Sequence, residues 1–207
     1  MNLSARMIIT LTVTALVVGG ILTVFYKSVE PRIEHNRLEE EKKAIFAVLD
    51  GASAYDTISK DIALASGKKR TVRIFKGKDA NGNIVGYAFV ANGPGFAGII
   101  SMMVGLNVDK ESLAGMKVLD QVETPGLGNK IVENKFTDQF KGLKIKPKIG
   151  YVKLKKPEQP TDIQAITGAT ISSVAVINAI NNEVNVVLGI LAEEGDGAAA
   201  VKAPEGK

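Results

Sequence analysis

The sequence predicts an α+β fold: an antiparallel sheet with flanking helices, preceded by a single N-terminal transmembrane helix. Three observations carry this. An uncharged apolar run extends from Met7 to Tyr26. β-rich segments separated by turn signals begin at Arg70. An apolar helical pattern closes the folded part, from about Ile171 to Leu191.

The first run, "MIITLTVTALVVGGILTVFY", matches the roughly 20 residues of helix that cross a hydrocarbon core. It is apolar on every side, unlike a soluble surface helix. It is too long for a signal-peptide core, and no small-residue cleavage site follows it. Tyr26 and Lys27 suit an interfacial end. Arg6 lies on one side and Lys27 and Arg32 on the other, so charge counting leaves the orientation open.

From Pro31 to about Leu49 a charged amphipathic helix is expected, its stripe formed by Ile33, Leu38, Ile45 and Leu49 and its stop by Gly51. Residues 27–69 then form a membrane-proximal helical linker. "RTVRIFKG" and "IVGYAFVA" flank "DANGN", a hairpin signal. "IISMMVGLNV" and "MKVLDQV" are two further strands, and "KIVENKFTDQF" a short helix. The Lys-rich stretch Lys141–Lys156 reads as an edge strand, protected from mispairing by its lysines and Pro147. The last helix buries Val174, Ile177, Ile180, Val184, Val187 and Leu191. The expected layout is an anchor at 7–26, the linker at 27–69, a folded domain at 70–192 and a disordered tail at 193–207.

Composition removes several function classes. With no cysteine, thiol catalysis and cysteine-ligated metal sites are excluded. The one histidine, His35, sits in "RIEHNRLEEEKK" with nothing to complete a ligand set or triad. A net charge of +4, 5% aromatics and no tryptophan argue against nucleic acid as a partner.

Three motifs remain. "GPGFAG", Gly93 to Gly98, matches G-x-G-x-x-G, but a strand-like segment follows it where a dinucleotide site needs a helix. Its glycines suit a tight turn or the wall of a pocket. In "ETPGLGNK", Pro125-Gly126 is a type II turn pair. Exposed N–H groups at such a corner suit an anion or a planar heterocycle, the alternative being a plain strand-to-helix connection. "TGATISS" crowds Thr167, Thr170, Ser172 and Ser173 at the start of the last helix. It reads as an N-cap by Thr167 or Thr170. The same geometry also suits a phosphate, with Gly168 and Ala169 leaving room for close approach.

"TGATISS" resembles the flavinylation motif of the FMN-binding domain family, and "ETPGLG" resembles that family's second signature. With "GPGFAGII" ahead of them and an N-terminal anchor, the order of parts is similar to the G-subunit family of Rnf electron-transport complexes. The C-subunit family of sodium-pumping NADH:quinone reductases is its relative. The resemblance implies FMN as cofactor, bound covalently through a phosphoester to Thr170 and loaded by a separate flavin transferase. It implies that Thr167, Gly168 and Ala169 complete the recognition motif, that Ser172 fills its last position, and that Glu123, Thr124 and Leu127 approach the flavin ring. Gln121 stands where many members carry a histidine. The implied function is that of a redox subunit, not a stand-alone enzyme. It would relay electrons in a complex that couples ferredoxin/NAD-type transfer to sodium or proton movement. Its partners would be the other subunits, and its domain would lie on the periplasmic or outer side of the cytoplasmic membrane. The alternatives are a subunit of the quinone reductase type and a membrane-anchored scaffold module without cofactor.

Overall fold

The computed structural model describes residues 2–63, 67 and 69–194. The chain divides into two compact units, Met1–Glu40 and Glu41–Lys207.

The first unit is helical. Helix α1, Leu3–Val48, runs through the apolar segment and continues past Pro31 without interruption. The two helices expected from the sequence are therefore one. Its apolar side chains are bare: Leu11, Leu16 and Phe25 are each at least 66% exposed. That surface has no stable place in water but matches lipid. The hydroxyls of Thr10, Thr12 and Thr23 donate to carbonyls four residues back, which removes the cost of taking them into an apolar medium.

The second unit is built on a five-stranded antiparallel meander in the order β1-β2-β3-β4-β5. The strands are β1 Ala54–Ala63, β2 Lys69–Lys78, β3 Ile84–Pro94, β4 Ile99–Asn107 and β5 Leu113–Asp120. The helical linker expected over 27–69 ends at Val48, and β1 occupies its second half. "DANGN" makes the β2–β3 turn: Asp79 accepts from the N–H groups of Asn81 and Asn83, both at 2.8 Å.

Side chains alternate across the sheet, as the twofold period of a strand requires. Phe75, Ala88 and Met103 face the last turns of α1, where Ala44, Ile45, Val48 and Leu49 are buried. Ile74, Phe89, Met102 and Val104 face the other way, against helix α3, Thr170–Glu194. Ile177, Ile180, Val184, Val187 and Leu191 of α3 are in that core as the spacing predicts, whereas Val174 is only partly buried. Arg70 on β2 adds a fork of hydrogen bonds at 2.9–3.0 Å to the buried Glu183 of α3. A buried carboxylate of this kind needs such a partner.

Between β5 and α3 the chain is irregular. "KIVENKFTDQF" forms a 3-10 turn at Gly128–Val132, the short helix α2 at Asn134–Thr137 and a second 3-10 turn at Asp138–Phe140, not one helix. The Lys-rich stretch is not a long edge strand. Leu143, Ile145 and Ile149 enter the core from largely irregular backbone, and regular pairing is confined to β6 Gly150–Val152, parallel to β7 Asp162–Gln164. Pro147 cannot donate to a ladder, which favours this outcome. Glu193 and Glu194, expected in the tail, belong to α3, and the remainder of the tail lies outside the described residues.

Candidate functional site

Three segments meet at one end of the sheet: the β3–β4 connection at residues 95–98, the loop after β5 at residues 121–128, and the loop leading into α3 at residues 165–169. They enclose a cavity of about 390 Å³ lined by Phe96, Glu123, Thr124, Leu127 and Thr170, among others. This is within the range of small-molecule sites.

The α3 end is open. Gly168 takes φ 81°, a backbone conformation that reverses the chain where a side chain would be strained. Ala169 is the residue whose carbonyl starts the helix, accepting from Ser173 N–H at 3.1 Å. Neither Thr167 nor Thr170 caps the helix, contrary to the capping alternative. The hydroxyl of Ser173 instead accepts from Ile166 N–H and donates to Ala169 C=O, both at 3.0 Å. Among the described residues, no protein acceptor pairs with the N–H groups of Thr170, Ile171 or Ser172. These unpaired donors and the positive end of the helix dipole favour an anion. Thr170, half-buried, stands on the cavity wall beside them.

The ETPGLG loop has its N–H groups differently placed. Pro125 and Gly126 make the expected turn, with Gly126 at φ 75° and Leu127 N–H returning to Thr124 C=O at 3.2 Å. Asn129 N–H also goes to Thr124 C=O, and Gly126 N–H goes to the Asn129 side chain at 2.8 Å. These donors are spent inside the loop, whereas those of Thr170, Ile171 and Ser172 in the first turn of α3 are not. On the cavity wall the loop places Glu123, Thr124, Leu127 and Gly128.

Glu123, expected near the ring, has the most enclosed side chain of the loop. It is 4% exposed and turned into the protein. One carboxylate oxygen accepts from Ala97 N–H at 2.9 Å, and the other accepts from the Ser172 hydroxyl. Gln121, in turn, accepts from Glu123 N–H at 2.6 Å. Burial pushes the Glu123 carboxyl upward, but the Ser172 hydroxyl and the N–H groups of Ala97, Phe96 and Gly98 together overcome it. The group stays below the ordinary glutamate range and is ionised.

Of the residues singled out in the sequence, the structure gathers Thr170, Gly168, Ala169, Ser172, Glu123, Thr124 and Leu127 around one cavity. Thr167 is exposed and faces a neighbouring groove with Lys130, Lys135 and Gln139. Phe96 was not singled out. It lines the cavity while 66% exposed, and an aromatic residue at the tip of a glycine-rich hairpin was the available signal.

The FMN-binding domain family matches residues 95–185, a span that opens at the hairpin tip and closes within α3. The G subunit of an ion-translocating oxidoreductase complex from Methanosarcina acetivorans is 30% identical over 182 residues, 88% of this chain and 93% of that protein. The chain belongs to the G-subunit family of these complexes. A second G subunit, from the Na(+)-translocating ferredoxin:NAD(+) oxidoreductase complex of Acetobacterium woodii, is 32% identical over 74% of this chain and 77% of its own length. Among solved structures, the C subunit of the Na(+)-translocating NADH-quinone reductase from Parabacteroides distasonis is similar in fold, with a TM-score of 0.60 and 21% identity. That match covers 77% of this chain and 96% of the other.

The G-subunit fold seen here fits FMN on its own geometry. Phe96, Leu127 and Ile171 give an apolar wall for a planar ring. The open first turn of α3 suits a phosphate. A Cβ on Gly128 would stand 2.7 Å from the Glu123 carboxylate and 2.8 Å from the Ser172 hydroxyl, so only glycine keeps this wall in place.

Proposed function

We propose that this chain is a membrane-anchored electron-carrier subunit of an ion-translocating oxidoreductase complex, with FMN esterified to Thr170. The observation that carries it is the Thr170 hydroxyl at an uncapped helix N-terminus, on the wall of a ligand-sized cavity. Family membership supports the same reading.

In this reading, FMN supplies the redox chemistry and the chain supplies position and electrostatics. The N–H groups of Thr170, Ile171 and Ser172 hold the phosphate. Phe96, Leu127 and Thr124 flank the ring. The ester would form by attack of the Thr170 hydroxyl on the FMN phosphorus of a flavin dinucleotide donor: the Thr170 Oγ–P bond would replace the P–O bond of the pyrophosphate, the nucleoside monophosphate would leave with the hydroxyl proton, and the chain would gain FMN minus water. A flavin transferase performs this step. Ferredoxin and NAD⁺ are the terminal reactants of the complex, which moves sodium or protons, and the chain works only within it. Helix α1 is the single anchor, and the domain lies on the outer face of the cytoplasmic membrane, where a covalent bond keeps a cofactor that could not be replaced. Residues 70–192 hold the cofactor, with β1 completing their sheet.

Thr170→Ala tests the attachment. Covalent flavin, read as fluorescence of the denatured band, is expected to vanish while the melting temperature is kept. Covalent flavin persisting in this variant would contradict the assignment.

A further inference from the structure

The strongest feature that FMN attachment does not use is the pair Glu123 and Ser172, 49 positions apart in sequence and in contact in the fold. Resting on the reading of Thr170 as the FMN attachment residue, we infer that Glu123 and Ser172 are a positioning pair that shapes the site, and that neither contacts the flavin as a reactive group.

The argument is one of connectivity. Glu123 belongs to the loop after β5, Ala97 to the β3–β4 tip, and Ser172 to the first turn of α3. Two carboxylate oxygens join all three segments. The pair is buried in the cavity wall, with Ser172 2% and Glu123 4% exposed, and its hydroxyl and carboxylate are engaged with each other. The partners of the carboxylate, the Ser172 hydroxyl and N–H groups of the 95–98 tip, are all donors, which leaves it no role as an acid. Ser172 lies two residues beyond Thr170, so fixing its side chain fixes the turn that carries the attachment hydroxyl and the open N–H groups. Gly128 leaves the pair its space, since a Cβ there would collide with both members. A serine or threonine at position 172 is therefore a requirement of the fold's carboxylate, and not a second attachment point.

The pair makes a prediction that plain stabilisation does not. In the full-length chain co-expressed with an active flavin transferase, Ser172→Ala and Glu123→Gln each lower the rate of covalent FMN loading at least tenfold. The double variant is no worse than the worse single variant, because the two side chains act as one unit. Ser172→Thr restores loading. In the apo protein, amide exchange at Ala97 rises in Glu123→Gln. Asn181→Ala is the stability control. Asn181 holds Ile149 by two hydrogen bonds at 2.9 Å, remote from the cavity, and its loss lowers the melting temperature but leaves loading intact. Should Glu123→Gln fail to fold, Ser172→Ala and its threonine rescue decide the matter.

Loading of Ser172→Ala at the wild-type rate would overturn the pair while leaving FMN attachment in place. Multiplying effects in the double variant, or equal loss in Asn181→Ala, would do the same. A wild-type chain that never acquires flavin would overturn the attachment reading, and this inference with it.

Discussion

Two close approaches in this domain use glycine in the same way and for different ends. On one face of the sheet, Gly86 lets the end of α1 settle: a Cβ there would lie 2.9 Å from Leu49 and 2.6 Å from the Leu106 carbonyl. At the end of the sheet, Gly128 makes room for the Glu123–Ser172 pair. The first space is filled by hydrocarbon, and its worth is burial. The second is filled by an ion and its hydrogen bonds. Such an arrangement stabilises little by comparison with an apolar substitute, but it is costly to leave half-made. Stability and site geometry are thus held by separate contacts, and they are separable by mutation.

Leu49→Ala is the largest way to test that separation. Leu49 is fully buried against the sheet, so its truncation is expected to cost about 2–5 kcal/mol. Chemical denaturation reads this, and FMN loading of the folded fraction stays normal. Gly86→Ala overpacks the same contact and costs about 1–3 kcal/mol, again without effect on loading. Gly128→Ala reverses the pattern. It lowers the loading rate about tenfold, equivalent to about 1.4 kcal/mol, and shifts the melting temperature less than Gly86→Ala does. Equal loading in Gly86→Ala and Gly128→Ala would remove the distinction.

The smallest effect is that of pH. Glu123 is held below its ordinary range, so its contribution is complete above the unfolded-state value and is lost as pH falls through the folded-state value. Stability attributable to this group is expected to be flat from neutral to weakly acidic solution and to decline only below the ordinary glutamate range. The difference between wild type and Glu123→Gln, followed by denaturation across pH, measures it. A decline centred above that range would mean the carboxylate is not held as described.

Much of this was legible in the sequence because it depended on local pattern. The hairpin at Asp79–Asn83, the type II turn at Gly126 and the buried face of α3 all follow from residues within a few positions of each other. Strand β1, "AYDTISKDIA", was not legible. It is an edge strand with mostly polar side chains, and its pairing comes from β2 and not from its own periodicity. The continuity of α1 through Pro31 was hidden for the opposite reason, since a proline within a helical pattern usually marks a boundary.

At the site, the resemblance named residues that the fold gathers around one cavity, but not how their side chains pair. TGATISS contains four hydroxyls, and sequence offered Thr167 or Thr170 as the cap. In the structure neither hydroxyl caps the helix; the Ser173 hydroxyl bridges Ile166 N–H and Ala169 C=O, and the first-turn N–H groups beside Thr170 stay open. Glu123 was expected beside the ring; in the structure it lies in the cavity wall with its carboxylate on the Ser172 hydroxyl. A contact spanning 49 positions leaves no trace in local spacing.

Intact mass of the chain purified from its native membrane, followed by peptide mapping, tests the central claim most directly. The account predicts a gain equal to FMN minus water, carried by the peptide that contains Thr170. An unmodified mass in cells with an active flavin transferase, or the same gain on a peptide without Thr170, would contradict it.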